Sequence, residues 1–142
     1  MIEIDKACIQ NTTDSHIKFE ERKKKIIFHN SDRKECLKIQ VDGCAIKAGD
    51  KCDNLLKVGK ADQQGPEYYV GLKGEDVGHA LTQIIQTIRI IHNDHSPVMA
   101  FIICTNVSPA LSPKIQQFKK QLKERYNATV VIKERQHEQR IS

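Results

Sequence analysis

The sequence predicts an α/β fold, a mixed central sheet flanked by helices, and three observations predict it. Val77, Leu81, Ile84, Ile85, Ile88 and Ile91 recur at helical spacing. Val98 to Cys104 is apolar without alternation, the pattern of a strand buried on both faces. Ahead of them, short apolar runs with partial period-two alternation are set off by turn-forming residues.

Taken in order, Asn11 to Ser15 is polar and turn-like, and Ser15 to Arg22 is expected to make one or two helical turns. Lys23-Lys24-Lys25 leads into a short strand at Ile26 to Phe28, and Asn30-Ser31-Asp32 reads as a turn. Cys36, Leu37, Ile39, Val41 and Ile46 suggest a second strand, with Gly43 at a bend in it. After a turn at Gly49-Asp50, Lys51 to Val58 is the third strand. Gly59 to Pro66 is a loop, and Glu67 to Lys73 the fourth strand. Asp76 is placed to cap the periodic helix, and Asn93-Asp94 to end it. Ser112-Pro113 announces a second helix, with Ile115, Phe118 and Leu122 on its apolar stripe. Thr129 to Lys133 is a last strand, and the charged tail from Glu134 to Ser142 is expected to fray. Strand, helix and strand from Glu67 to Cys104 form a βαβ unit, which should be parallel and right-handed. The early strands, joined by short turns, should pair antiparallel. The chain reads as a single domain, 1–142, least defined at 1–22 and 134–142.

Composition fits a globular domain, with 39% hydrophobic and 29% charged residues in a chain of 142. No run approaches the roughly 18 apolar residues of a membrane span. The start, Met1-Ile2-Glu3-Ile4-Asp5, lacks the basic and apolar regions of a signal peptide, so a cytoplasmic protein is expected. Five cysteines, an odd number without a C-x-x-C pair, agree with reduced thiols there. A zinc site from Cys44, Cys52 and a histidine would match no common spacing. The formal charge of +5 points mildly to a polyanionic partner.

Chemistry is concentrated at one place. Asp53 lies on the third strand, and Gly71-Leu72-Lys73-Gly74 on its neighbour, where residues 71 and 73 share a face. A helix begins immediately afterwards. An acid and a lysine on adjacent strands near such a junction suit metal-assisted phosphodiester cleavage. Asp53 would hold Mg²⁺, and Lys73 would position a water or steady developing charge. Elsewhere, Lys119, Lys120, Lys123 and Arg125 make a basic helix face that suits phosphates, although a solvated face is the commoner explanation of such a run and Glu124 interrupts it. Tyr68 and Tyr69 could stack on bases, but one of them must face a helix layer, so core packing explains at least one. His79, His92 and His95 lack an evident companion for a zinc site.

Lys51 to Leu56, Tyr68 to Gly74, Asp76-Val77 and Ala80 to Gln83 together resemble the core of the PD-(D/E)XK, or restriction-endonuclease-like, nucleases. The resemblance covers residues 36–104 and implies an αβββαβ core and a metal-dependent nuclease using Mg²⁺ or Mn²⁺. It assigns Asp53 to the metal, Lys73 to the catalytic lysine, and Gln83 to the helix residue that orients the attacking water. It implies a nucleic-acid partner, DNA ahead of RNA, and leaves a homodimer or a protein partner open. The departure is Gly71, where the family places Glu or Asp as second metal ligand. Glu75 and Asp76, at the head of the helix, are the acids placed to substitute. Without such rescue, the resemblance implies an impaired nuclease or an inactive relative that binds nucleic acid or protein.

Overall fold

Two parallel crossovers organise the molecule, seen here in a computed structural model that describes residues 4–49, 51–60, 64–74, 76–92, 95–106 and 112–141. β6 (Glu67–Gly74), α1 (Val77–Ile91), β7 (Val98–Cys104), α2 (Pro113–Tyr126) and β8 (Thr129–Glu134) follow in sequence. The three strands lie side by side and parallel. Successive right-handed crossovers that step the same way leave their helices on one face. Accordingly Leu81, Ile84 and Ile88 of α1 and Ile115 and Leu122 of α2 share a core with Tyr69, Ala100 and Ile102. β4 (Cys36–Gln40) and β5 (Asn54–Val58) extend the sheet antiparallel, and β1 (Ile9–Thr12) closes that edge. The order is β1-β4-β5-β6-β7-β8. This is the expected mixed sheet, with the helical periodicity of residues 77–91 realised in full.

Both helix starts follow from their caps. Asp76 accepts the His79 N–H at 3.0 Å, and Ser112 accepts the Ile115 N–H at 3.2 Å ahead of Pro113. α2 ends at Asn127, in the left-handed conformation at φ 52°.

The other face of the sheet departs from expectation, because no helix covers it among the described residues. Three strands do: β2 (His16–Glu21), β3 (Lys24–His29) and β9 (Gln136–Arg140), in the order β2-β3-β9. Ile17, Phe19, Ile26 and Phe28 alternate inward onto Leu56, Tyr68, Val70 and Phe101. Phe28 centres a ring cluster, 5.2 Å from Tyr68, 5.5 Å from Phe101 and 6.1 Å from Phe19. The molecule is therefore layered helices, six-stranded sheet, three-stranded sheet.

Several local expectations are corrected. The helical turns expected over 15–22 are β2, because Ile17 and Phe19 stand two apart and reach one core, as strand residues do. The early strands are not one antiparallel run but divide between the two sheets. The third strand begins at Asn54, not Lys51. The tail does not fray: β8 runs through Glu134, and β9 pairs parallel with β3 from Gln136 to Arg140. Its polar side chains carry no strand signal, and the β3 backbone supplies the partner.

The cysteines are corrected as well. Cys8 and Cys44 form a disulfide, while Cys36, Cys52 and Cys104 are buried thiols. Cys44 is consequently lost to the zinc site considered with Cys52. Burial pushes the Cys52 thiol up to about 12, so it stays protonated in the core. The turns at Gly49-Asp50 and Asn93-Asp94 lie partly or wholly outside the described residues, and no described helix is long and apolar enough to cross a membrane.

Candidate functional site

Asp53 sits immediately before β5 and is held from three sides. Its carbonyl oxygen accepts from the N–H groups of Val41 and Asp42 at 3.1 and 3.3 Å, and its N–H donates to Val70 at 3.1 Å. Oδ2 accepts the Leu72 N–H at 2.6 Å, a short charge-assisted bond within a buried setting. The cause is local. The β5–β6 register reaches its last pair at Asn54 and Val70, and Leu72 lies beyond it. The carboxylate thus stands where a strand carbonyl would, and satisfies a buried donor.

That bond fixes Asp53 against the β6 backbone between the two motif positions, Gly71 and Lys73. Lys73 is the next residue along β6, and the course of its side chain lies outside the described residues. A register shift between Gly71 and Gly74 interrupts the simple alternation expected to put residues 71 and 73 on one face. Gly71 itself faces α1. A methyl built there would meet Ile84 Cδ1 and the Phe101 oxygen at 3.9 Å, ordinary contacts, so space does not demand glycine.

The remaining candidates divide. Gln83, half-buried on α1, is tied to this end of β5 through its backbone. The Thr87 hydroxyl donates to the Gln83 carbonyl at 2.8 Å and accepts the Cys52 N–H at 2.8 Å. Asp76 spends Oδ1 on its cap. Glu75 lies outside the described residues. Lys119, Lys120 and Lys123 do not join them. Both helices start at the Asp53 end, where Ile115 approaches Gly78. Lys123 is ten residues into α2, about 15 Å further along its axis. Lys120 is also paired with Glu124 at 3.9 Å.

A Mg²⁺ ion asks for oxygen ligands in near-ideal octahedral array, one or two of them carboxylates. Asp53 brings one carboxylate, already engaged by an N–H, and position 71 brings none. Among the described residues no three His, Cys, Asp or Glu side chains gather in a way that could hold a metal. The set as it stands does not fit the ion.

Two features were missed in the sequence. Thr87 is one; a threonine amid Ile84, Ile85 and Ile88 is the trace that could have revealed it. The other is a buried network at the opposite end of β6. Glu67 Oε1 accepts the Tyr69 hydroxyl at 2.9 Å and meets His92 Nδ1 at 2.7 Å. Burial and the neighbouring Glu67 both push the Tyr69 phenol up. Tyr69 packs in the helix-side core and Tyr68 in the other, so neither is available to stack on bases. His92 is committed to Glu67, which removes it from the zinc reading with His95.

Fold and site together define a three-layer α/β protein with one buried, backbone-anchored carboxylate at the edge of its β5–β6 pair. No family model matches the chain, and no curated protein or solved structure does either.

Proposed function

We propose that the chain is a nucleic-acid-binding domain of the PD-(D/E)XK type, whose phosphodiester-hydrolysing site is impaired by glycine at position 71. One observation carries the reading: Asp53 grips the N–H of the residue between Gly71 and Lys73 at 2.6 Å. A strand acid beside an E-x-K strand is the arrangement the resemblance asks for. The antiparallel run β4, β5, β6, followed by α1 and a parallel β7, supports it as the βββαβ part of that core. The α-helix expected ahead of that run has no counterpart among the described residues before β4, where a short 3-10 turn, β1 and the β2–β3 hairpin lie instead.

Mg²⁺ or Mn²⁺ would need a second carboxylate beside Asp53. Lys73 and Gln83 keep the roles that the resemblance gives them, and DNA remains the favoured partner of a chain with charge +5. Lys119, Lys120 and Lys123 would then touch phosphates remote from the site, adding affinity that falls with salt. Cytoplasmic residence goes with this reading and sets a condition, since the Cys8–Cys44 bond must persist against the thiol pool.

The test is Gly71→Glu, assayed on supercoiled plasmid with Mg²⁺. Nicking should rise about a hundredfold or more over the unmodified chain, and Lys73→Ala should remove it. A folded but inert Gly71→Glu protein, together with no salt-sensitive DNA binding, would overturn both halves of the proposal.

A further inference from the structure

We infer that the molecule carries a second site, a pocket for the phosphate of a nucleotide, on the face of the six-stranded sheet turned away from the helices. A cavity of about 490 Å³ opens there between β1, β4 and β2. Its polar lining includes Lys18, Lys38, Gln10, Gln40 and Asn54, with Phe19 among its apolar walls. The pairing registers explain the cluster. Gln10 is the cross-strand partner of Lys38, and Gln40 that of Asn54. Lys38 also pairs with Leu56, which packs toward the small sheet, so alternation turns all four polar residues to that side. The small sheet covers Leu56, Tyr68 and Phe101 and leaves this corner open.

The electrostatics favour an anion. Lys38 Nζ lies over the Phe19 ring, 4.9 Å from its centroid. Burial pushes the Lys38 ammonium pKa down, Asp14 pulls it up, and Lys18 pushes it down further. Glu20 also lines the cavity, but it stands 3.6 Å from Lys18 and offsets that charge. Among the lining residues Lys38 is then the cation that faces the cavity in a half-buried setting, with Asp14 outside the lining as a partial counter-charge, and a phosphate would add the attraction that burial takes from water. Three carboxamides, each offering donors and an acceptor, suit the sugar and the edge of a base. The volume suits a nucleoside phosphate. That phosphate could come from a free nucleotide or from the phosphorylated end of an oligonucleotide. None of this requires the Asp53 site to be a nuclease.

The test is titration of the unmodified protein in EDTA, which excludes binding through a metal at Asp53. The probes are inorganic phosphate, adenosine monophosphate, and one oligonucleotide with and without a 5′-phosphate. The expected result is that adenosine monophosphate and the phosphorylated oligonucleotide bind and shift the Lys38 side-chain NMR signals. The unphosphorylated strand should bind at least tenfold more weakly, and Lys38→Met should weaken the phosphorylated probes at least tenfold. Equal affinity for the two phosphorylated probes marks a free-nucleotide pocket, and tenfold tighter oligonucleotide binding an end-binding one. Lys38 signals that do not move at millimolar concentrations of every phosphate probe overturn the inference. So does a folded Lys38→Met protein that binds as well as the parent.

Discussion

Breaking the Cys8–Cys44 bond should cost the protein a large share of its stability. The disulfide joins residues 36 apart, so it closes a substantial loop in the unfolded chain. Loop-closure entropy for that length comes to about 4 kcal/mol at room temperature. Small domains have roughly 5–15 kcal/mol in all. The native cost of losing it is local, because the bond ties two weak pieces. Cys8 ends a 3-10 turn, Lys6–Cys8, and Cys44 sits in the turn beside Gly43, whose φ is 75°. That turn starts at Val41, whose N–H supports the Asp53 carbonyl. Urea denaturation with and without a phosphine reductant measures the effect. With a slope of about 2 kcal/mol per molar urea, the midpoint should fall by about 2 M. Thiol titration in denaturant gives an independent count: three reactive groups before reduction, five after. Five thiols before reduction, or coincident urea curves, would refute the reasoning.

Other consequences can be tested alongside. Thr87→Val keeps the shape of a fully buried side chain but strands the Cys52 N–H, which should cost about 1–3 kcal/mol by urea denaturation. Cys52, held at about 12 against an ordinary 9.0, should react with iodoacetamide at pH 8 about a thousandfold more slowly than an exposed cysteine. Because its folded pKa lies above its unfolded one, its stabilising effect is complete below pH 9. It should decline above that by about 1.4 kcal/mol per pH unit until about 12, and Cys52→Ala should flatten the decline. A methyl at Gly65 would collide with the Val58 carbonyl oxygen, whereas one at Gly71 meets ordinary contacts. Gly65→Ala should therefore lower the melting temperature markedly, while Gly71→Ala should leave it unchanged or raise stability by about 0.4–1 kcal/mol.

The helices and β7 were legible because their signals are local. Six apolar residues at helical spacing need one buried stripe, and an unbroken apolar run needs burial on both faces. The β2–β3 hairpin was obscured by its turn. Arg22 and Lys23 both have positive φ, at 48° and 65°, in a two-residue loop of the kind usually built from Asn and Gly. Ile26 to Phe28 was legible as a strand, whereas in β2 the alternation of Ile17 and Phe19 about Lys18 was the usable signal, and it is only two apolar residues long. β9 was illegible for another reason: Gln136 to Arg140 is polar throughout, and its pairing is settled by a distant strand. At the site, the approach of Asp53 to β6 followed from strand adjacency. The tether from Thr87 to Cys52 and the Glu67–His92 contact join residues 35 and 25 apart, where no periodicity points. The disulfide departs from the expectation of five reduced thiols, because cysteine counting says nothing of which two sulfurs the fold brings together.

The seating of β9 beside β3 also bears on how the chain acquires its shape. His29 meets Glu138 across 109 positions, so the small sheet lacks its third member until nearly the whole described chain is present. A nascent β2–β3 hairpin must meanwhile hold four large apolar side chains without their final cover. Docking that layer is a long-range, entropically expensive event, which places it late and makes it slow. The two-crossover half, whose contacts are closer in sequence, can condense first and serve as the platform on which both ends of the polypeptide meet.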